Sequence, residues 1–153
     1  MAKVAILVGS KSDLPSMAPC KKYLDYFGIS YEEHVLSAHR NPHETARFAE
    51  SARENGIQVI IAAAGMAAHL AGVIAAHTTL PVIGVPMPGS ALNGVDALYA
   101  TVQMPTGVPV ATMAIGTAGA ANAAVYCAEI LSLQEEALQQ KLAEFKKTGS
   151  RLK

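Results

Sequence analysis

Short apolar runs alternate along the chain with longer segments in which apolar residues recur at helical spacing. The apolar runs predict five strands, at Lys3–Val8, Ser30–Leu36, Val59–Ala62, Pro81–Val85 and Val108–Ile115. The segments between them predict helices at Asp13–Phe27, from Pro42 to Asn55-Gly56, at Ala67–His77 and at Val95–Gln103. Strands that alternate with helices in this way are typical of a parallel sheet with right-handed crossovers.

The predicted strands lack the alternation of apolar and polar residues that a one-sided sheet shows, so we expect both faces of the sheet to be covered. We predict an α/β fold with three αβα layers and a doubly wound, five-stranded parallel sheet of flavodoxin-like form. A chain of 153 residues has room for one core of ordinary size, so we expect a single domain over residues 1–153.

The last part of the chain, residues 120–147, is predicted to form one long C-terminal helix of about 40 Å. Its first half, AANAAVYCAEIL, is apolar on every side. Its second half continues an apolar stripe at helical spacing, consisting of Leu131, Leu138, Leu142 and Phe145. A small sheet cannot easily cover both halves, so we expect homo-oligomerisation through this helix. The alternative is a helix that packs only on its own sheet.

Composition narrows the classes of partner. Hydrophobic residues make up 51% of the chain, and twelve basic residues balance twelve acidic ones. A chain without net charge presents no large positively charged surface for nucleic acid or an anionic membrane, so we expect neither partner. The longest apolar run, residues 59–76, is rich in Ala and Gly and is interrupted by His69, unlike a membrane span. Any bound anion must therefore be held by a few local groups.

Two features indicate the cytoplasm. Cys20 and Cys127 lie far apart in the sequence and form no metal or disulfide motif. Met1-Ala2-Lys3 leads directly into the first predicted strand, without the layout of a signal peptide. We therefore expect a reducing compartment and two buried or free thiols.

The candidate chemistry lies in three loops that follow predicted strands: residues 9–13, 37–42 and 63–70. In a doubly wound fold, ligands bind at the carboxyl ends of the strands, where loops enter helices. In the first loop, the hydroxyls of Ser10 and Ser12 and the backbone amides can hold a phosphate, and Asp13 can accept hydrogen bonds from ribose hydroxyls. The alternative is ordinary helix capping by Ser12 and Asp13. The spacing matches neither a Walker motif nor a dinucleotide fingerprint.

The second loop places His39 next to Arg40, and Asn41-Pro42 predicts a capped helix start, with Glu44 completing a capping box. An imidazole can give and take a proton near pH 7, and Arg40 can hold a phosphate or carboxylate. A structural or merely solvated histidine remains the alternative. His43 is four residues from His39, but Pro42 lies between them and no third ligand is near, so we expect no metal.

The third loop, Ala63 to Leu70, has almost no side chains, which lets backbone amides approach a flat ligand closely. His69 is expected to bind the ligand, to contact a neighbouring subunit, or to be a buried structural histidine. His34 and His77 are predicted to lie at the surface or at the sheet edge. Because the sequence offers no Ser-His-Asp or Cys-His arrangement for covalent catalysis, proton transfer is the chemistry that remains.

At these loops the sequence resembles the N5-carboxyaminoimidazole ribonucleotide mutase family of purine biosynthesis. The resemblance covers nearly the whole chain, in the stretches GSKSD (9–13), SAHRNP (37–42), AGMAAHLAG (64–72), LPVIGVP (80–86), LNGVDALYATVQMPTGVPVATMAIG (92–116) and AGAANAA (118–124). It implies an enzyme without cofactor or metal, assembled as a homo-octamer, that binds a ribonucleotide and moves its carboxyl group from the exocyclic nitrogen to C4 by loss and recapture of carbon dioxide.

The resemblance also implies roles for individual residues. His39 is the expected catalytic acid and base, which shuttles a proton between the nitrogen and C4. The residues expected to bind substrate are Ser10, Ser12, Asp13, Ser37, Ala38, Arg40, Ala64, Gly65, His69 and Leu70.

Two positions depart from the family pattern: Met66 and Ala71 stand where members usually carry Gly and Pro. Relatives that fix free carbon dioxide onto aminoimidazole ribonucleotide differ around the same loop, so a carboxylase is the first alternative. Outside enzymes, the alternatives are a non-catalytic nucleotide-binding regulatory module and a flavin carrier. The chain has no Trp and few aromatic residues to stack a flavin.

Overall fold

The computed structural model describes residues 1–153. Its strands are β1 (Val4–Val8), β2 (Tyr31–Val35), β3 (Val59–Gly65), β4 (Val82–Met87) and β5 (Ala111–Thr112). Its α-helices are α1 (Ala18–Phe27), α2 (Pro42–Ser51), α3 (Leu70–His77), α4 (Val95–Val102), α5 (Thr117–Ser132) and α6 (Glu136–Lys147). A 3₁₀ segment, Lys11–Met17, joins β1 to α1. None of the helices is both long enough and apolar enough to cross a bilayer.

The strands form one parallel sheet in the order β2-β1-β3-β4-β5. This is the flavodoxin-like order, in which the direction of winding reverses between β1 and β3. The predicted α/β fold with a doubly wound sheet is confirmed.

Alternate residues of the central strands enter two separate cores. Val4, Ile6 and Val8 of β1 pack with α1, α5 and α6, while Ala5 and Leu7 face the core that α2 and α3 cover. β1 and β4 are buried along their whole length, because their neighbours and both helical layers exclude water from them. β2 and β5 lie at the two edges of the sheet and are only partly buried.

Several element boundaries differ from the predicted ones. Helix α3 begins at Leu70 rather than Ala67, because residues 66–69 form a turn above the sheet. The segment predicted as a helix from Asp13 starts as the 3₁₀ segment, which contains Pro15. β5 keeps only Ala111 and Thr112 of the predicted Val108–Ile115. Helix α2 ends at Ser51 and is followed by turns as far as Gly56.

The prediction of one continuous helix over residues 120–147 is wrong: the chain turns at residues 133–135 between α5 and α6. No glycine or proline marks the turn. It is held by tertiary contacts, in which Glu135 forms an ion pair with Lys3 at 2.7 Å and the Gln139 side chain donates a 2.8 Å hydrogen bond to the Ser132 carbonyl. These contacts stabilise a change of direction that local sequence preference does not signal.

The turn lets α6 cover α1 of the same chain. Phe145 is 2% exposed, and its ring lies 5.4 Å from Phe27, 5.8 Å from Tyr26 and 5.9 Å from Tyr23, between ring centroids. Leu131 and Leu138 of the predicted apolar stripe are also buried within the chain. The stripe is therefore satisfied without a partner, and it gives no reason for oligomerisation by itself.

Candidate active site

A cavity of about 450 Å³ opens where the carboxyl ends of the first four strands meet. This is the edge of the sheet at which doubly wound folds bind ligands, and it includes the switch point between β1 and β3. The lining consists of Gly9, Ser10, Ser12, Asp13, Ser16, Ser37, Ala38, His39, Ala64, Gly65, Met66, Ala67, His69, Leu70, Pro88 and Gly89.

The loop after β1 forms a hydroxyl-rich wall. Ser10 caps the 3₁₀ segment: its Oγ accepts a hydrogen bond of 3.3 Å from the Ser12 amide and lies 2.9 Å from the Ser12 Oγ. The Asp13 amide donates to the Ser10 carbonyl at 3.0 Å. Two exposed hydroxyls at the start of a helical segment can donate hydrogen bonds to an anion.

Asp13 is half-buried in the same wall, and burial raises the pKa of its carboxyl above the ordinary value of 3.8. Removing the charged carboxylate from water disfavours its ionised form. A group held in this way gains from hydrogen-bond donors supplied by a ligand, such as sugar hydroxyls.

The loop after β2 is held in place by hydrogen bonds to Ser37. The Arg40 amide donates to the Ser37 Oγ at 3.2 Å, and the Asn41 amide donates to the Ser37 carbonyl at 2.8 Å. The predicted side-chain cap at Asn41 is wrong: its Oδ1 accepts a long bond of 3.5 Å from the Ser37 amide and caps no α2 amide. The side chain serves the loop that carries His39 instead.

The loop after β3 turns sharply at Met66, whose φ of 55° lies in the left-handed region. The Ala68 amide then donates to the Met66 carbonyl at 2.9 Å, and the His69 amide donates to the Ala67 carbonyl at 2.8 Å. The turn buries Ala68 and leaves the His69 side chain exposed in the cavity wall. His69 is thus not a buried structural histidine.

His39 and His69 meet in one wall of the cavity. The Nε2 atom of His39 and the Nδ1 atom of His69 share a hydrogen bond of 2.7 Å, in which one ring donates and the other accepts. The ring centroids are 4.8 Å apart and the planes are inclined at 79°. An imidazole that is exposed to a ligand and oriented by a second ring can give or take a proton in a defined direction.

The structure brings together all of the predicted site residues except Arg40, which is exposed and does not line the cavity. It also adds Gly9, Ser16, Met66, Ala67, Pro88 and Gly89 to the lining. Ser16 lies in the same 3₁₀ segment as Ser12. Pro88 and Gly89 were missed because β4 runs to Met87, two residues beyond the predicted end.

The other histidines lie apart from the cavity. The Nε2 of His34 is 2.9 Å from Glu32, at the sheet edge, and the Nδ1 of His77 is 3.0 Å from Glu50. No group of three or more His, Cys, Asp or Glu side chains is arranged to hold a metal ion. The cavity's own polar groups are hydroxyls, imidazoles and one carboxylate, which suit hydrogen bonding and proton transfer.

The family model described as AIR carboxylase matches residues 3–151 of the chain. This chain belongs to the AIR carboxylase family. Relatives named N5-carboxyaminoimidazole ribonucleotide mutase include those of Bacillus subtilis, 55% identical over 92% of this chain and 87% of the relative, and Escherichia coli (strain K12), 53% identical over 95% and 86%. The mutase of Vibrio vulnificus is 53% identical over 94% of this chain and 89% of the relative.

A solved family structure has the same fold. The crystal structure of Treponema denticola PurE superposes with a TM-score of 0.86 and 25% sequence identity, covering 96% of this chain and 90% of that one. The family model and the relatives confirm the sequence resemblance, and the solved structure confirms the three-layer architecture.

Proposed function

We propose that this chain converts N5-carboxyaminoimidazole ribonucleotide to the 4-carboxy isomer, the mutase reaction of purine biosynthesis. The observation that carries the proposal is that one cavity is lined both by the Ser10–Asp13 loop and by the bonded pair His39 and His69. A phosphate-binding wall and a proton carrier are what carboxyl migration on a ribonucleotide requires. The relatives from Vibrio vulnificus, Escherichia coli and Bacillus subtilis, 53% to 55% identical to this chain, carry the mutase name.

The binding residues divide by chemistry. Ser10 and Ser12 bind the phosphate through hydroxyl and amide groups, and Asp13 accepts hydrogen bonds from the ribose. Arg40, outside the lining, attracts the phosphate from the rim of the cavity with its exposed guanidinium.

The heterocycle lies over the loops that contain the small residues. Ser37 and Ala38 flank it on one side, and Ala64, Gly65 and Leu70 enclose it on the other. Because these side chains are short, the backbone can approach a flat ring closely. His69 orients His39 and contacts the substrate.

The reaction balances with one proton carried by His39. Protonated His39 gives its proton to the exocyclic nitrogen as the N–C bond breaks, and the bonding electrons stay on nitrogen while carbon dioxide is released. The electron-rich C4 then attacks the carbon dioxide, and His39 removes the C4 proton, which restores the ring. The cavity holds carbon dioxide beside its acceptor, and no cofactor takes part.

The proposal includes self-association, for which the surface of α4 provides the support. Val95, Tyr99 and Val102 recur at helical spacing and are 42%, 63% and 44% exposed, so α4 presents an apolar stripe without cover in the single chain. Leu133, at the turn between α5 and α6, is 81% exposed. We propose that these surfaces are buried between copies in a homo-octamer, in which α5 takes part through its exposed face. The free, buried Cys20 and Cys127 agree with a cytoplasmic location.

The choice of substrate tests the function. The purified protein is given N5-carboxyaminoimidazole ribonucleotide, or aminoimidazole ribonucleotide with bicarbonate, and formation of the 4-carboxy product is followed. The proposal expects turnover of the first substrate well above its spontaneous decarboxylation. Efficient turnover only of the second would identify a carboxylase, and binding without turnover of either would identify a nucleotide-binding module.

A further inference from the structure

Met66 adopts a left-handed backbone conformation that favours glycine. Only three residues other than glycine have positive φ: Met66 at 55°, Asn93 at 52° and Ser150 at 57°. Asn tolerates the left-handed region, and Ser150 lies in the last turn of the chain, whereas a long apolar side chain is disfavoured there. A residue that resists its own backbone conformation at a cavity calls for a functional explanation.

Neither the turn nor the core explains this side chain. The contact that Met66 makes within the turn comes from its carbonyl, which accepts from the Ala68 amide at 2.9 Å, and a glycine would keep it. Met66 is 66% exposed and belongs to neither apolar core. Its removal would therefore take little packing away from the ligand-free protein.

The cavity offers the side chain a partner once it is filled. Met66 lines the same space as His39 and His69, among residues that are mostly Gly, Ala and Ser. The other long aliphatic chain in the lining, Leu70, is 2% exposed and already packed. A methionine has three rotatable bonds and a polarisable sulfur, and it makes favourable contacts with aromatic rings.

We propose that Met66 is a substrate-covering residue, whose thioether chain folds over the face of the bound aminoimidazole ring. This rests on the proposed function and deepens it. While the carboxyl group is free as carbon dioxide, a cover over the ring keeps water out and the gas next to C4. Met66 then sets two quantities: the affinity for the ring and the fraction of carbon dioxide that is recaptured.

Three variants separate the side chain from the backbone. Met66→Ala removes the thioether but keeps the strain of a side chain on a left-handed backbone. Met66→Gly removes both the thioether and the strain. Met66→Leu keeps an apolar side chain of similar size. We expect Ala and Gly variants to lose about 10- to 100-fold in kcat/KM. They should also release several times more decarboxylated ribonucleotide per turnover than wild type, while the Leu variant stays near wild type.

Other results would overturn the inference. Ala and Gly variants that match wild type would remove any role for the side chain. If Met66→Gly is as active as wild type while Met66→Ala is impaired, the strained backbone and not the lost side chain causes the defect. If activity falls together with the oligomer mass, Met66 is instead a contact between copies. Wild-type protein that turns over neither substrate would refute the proposed function and this inference together, whereas an active wild type with indifferent variants refutes the inference alone.

Discussion

His39 and His69 are joined by a 2.7 Å hydrogen bond although their strands are not neighbours in the sheet. His39 follows β2, His69 follows β3, and β1 lies between these strands. The bond therefore spans the carboxyl end of β1, where the Ser10–Asp13 loop begins. It closes one side of the cavity and fixes the ring of His39 beside the site where the ribonucleotide is proposed to bind.

Loss of the His69 ring should impair turnover more than binding. We expect His69→Ala to lower kcat by up to about 100-fold, since a small misplacement of a reacting group has an effect of that size. His69→Asn, which puts a hydrogen-bonding group near the position of Nδ1, should recover part of the loss. His77→Ala is the matched control, because the His77 ring lies within hydrogen-bond distance of Glu50, away from the cavity. Wild-type kcat in His69→Ala would contradict the orienting role.

Asp13 should lower the stability of the ligand-free protein at neutral pH. Because burial raises its pKa in the folded state, the folded protein binds this proton more tightly than the unfolded chain does. The stabilisation that comes from this tighter proton binding is fully present below the pKa of the unfolded chain, 3.8. It is lost as the pH rises through the higher pKa of the folded protein. Asp13→Asn should therefore melt at a higher temperature than wild type at pH 7, and the advantage should disappear at about pH 3.

The control for this comparison is Glu54→Gln, which changes an exposed carboxylate away from the cavity. Melting temperatures of the three proteins are measured from pH 3 to pH 7. An Asp13→Asn variant that is no more stable than wild type at pH 7 would show that burial of the carboxylate has no net effect. The same variant should bind ribonucleotide more weakly, which a calorimetric titration would detect.

The covering of α1 by α6 should contribute strongly to stability. Phe145→Ala removes a ring packed on three aromatic rings of α1, and a buried Phe→Ala change lowers the free energy of unfolding by about 3–5 kcal/mol. Gln140→Ala, at an exposed position of α6 outside the proposed interfaces, should have an effect of about 0.5 kcal/mol or less. Denaturant unfolding at one protein concentration compares them. Equal midpoints would mean that α6 is not docked as described.

The apolar stripe on α4 should be an interface between copies. Tyr99→Asp places a charge in the stripe and should reduce the particle mass from that of the proposed octamer to smaller species, because burying an unpaired charge is unfavourable. Gln140→Asp, an exposed change on α6, is the control for added charge. Sedimentation at several protein concentrations gives the masses. An unchanged mass for Tyr99→Asp would exclude α4 from the interface.

The central strands were predictable from the sequence because they are buried on both faces. Val4–Val8 and Val82–Met87 read as continuous apolar runs, and the structure ends them within two residues of the predicted bounds. The turn at Leu133–Glu135 was not predictable, since no local glycine or proline marks it and its contacts include the distant Lys3. The same is true of β5, where an eight-residue apolar run yields a strand of 2 residues at the edge of the sheet.

The site was predictable as a set of loops but not as a geometry. The rule that ligands bind at the carboxyl ends of strands selected the loops that contain Ser10, His39 and His69. It could not show that the two histidine rings bond to one another, that Arg40 lies outside the lining, or that Asn41 serves the loop rather than the helix. These depend on side-chain directions that the packed sheet sets.

The most direct test of the account is to compare turnover and binding in His39→Asn. Asparagine keeps hydrogen-bonding capacity but cannot carry the proton, so kcat for the N-carboxylated ribonucleotide should fall by about 10²- to 10⁴-fold. The Kd for the ribonucleotide should stay within a few-fold of wild type, because its phosphate and ribose bind elsewhere in the cavity. A variant that still turns over at the wild-type rate would contradict the assignment of His39 as the proton carrier.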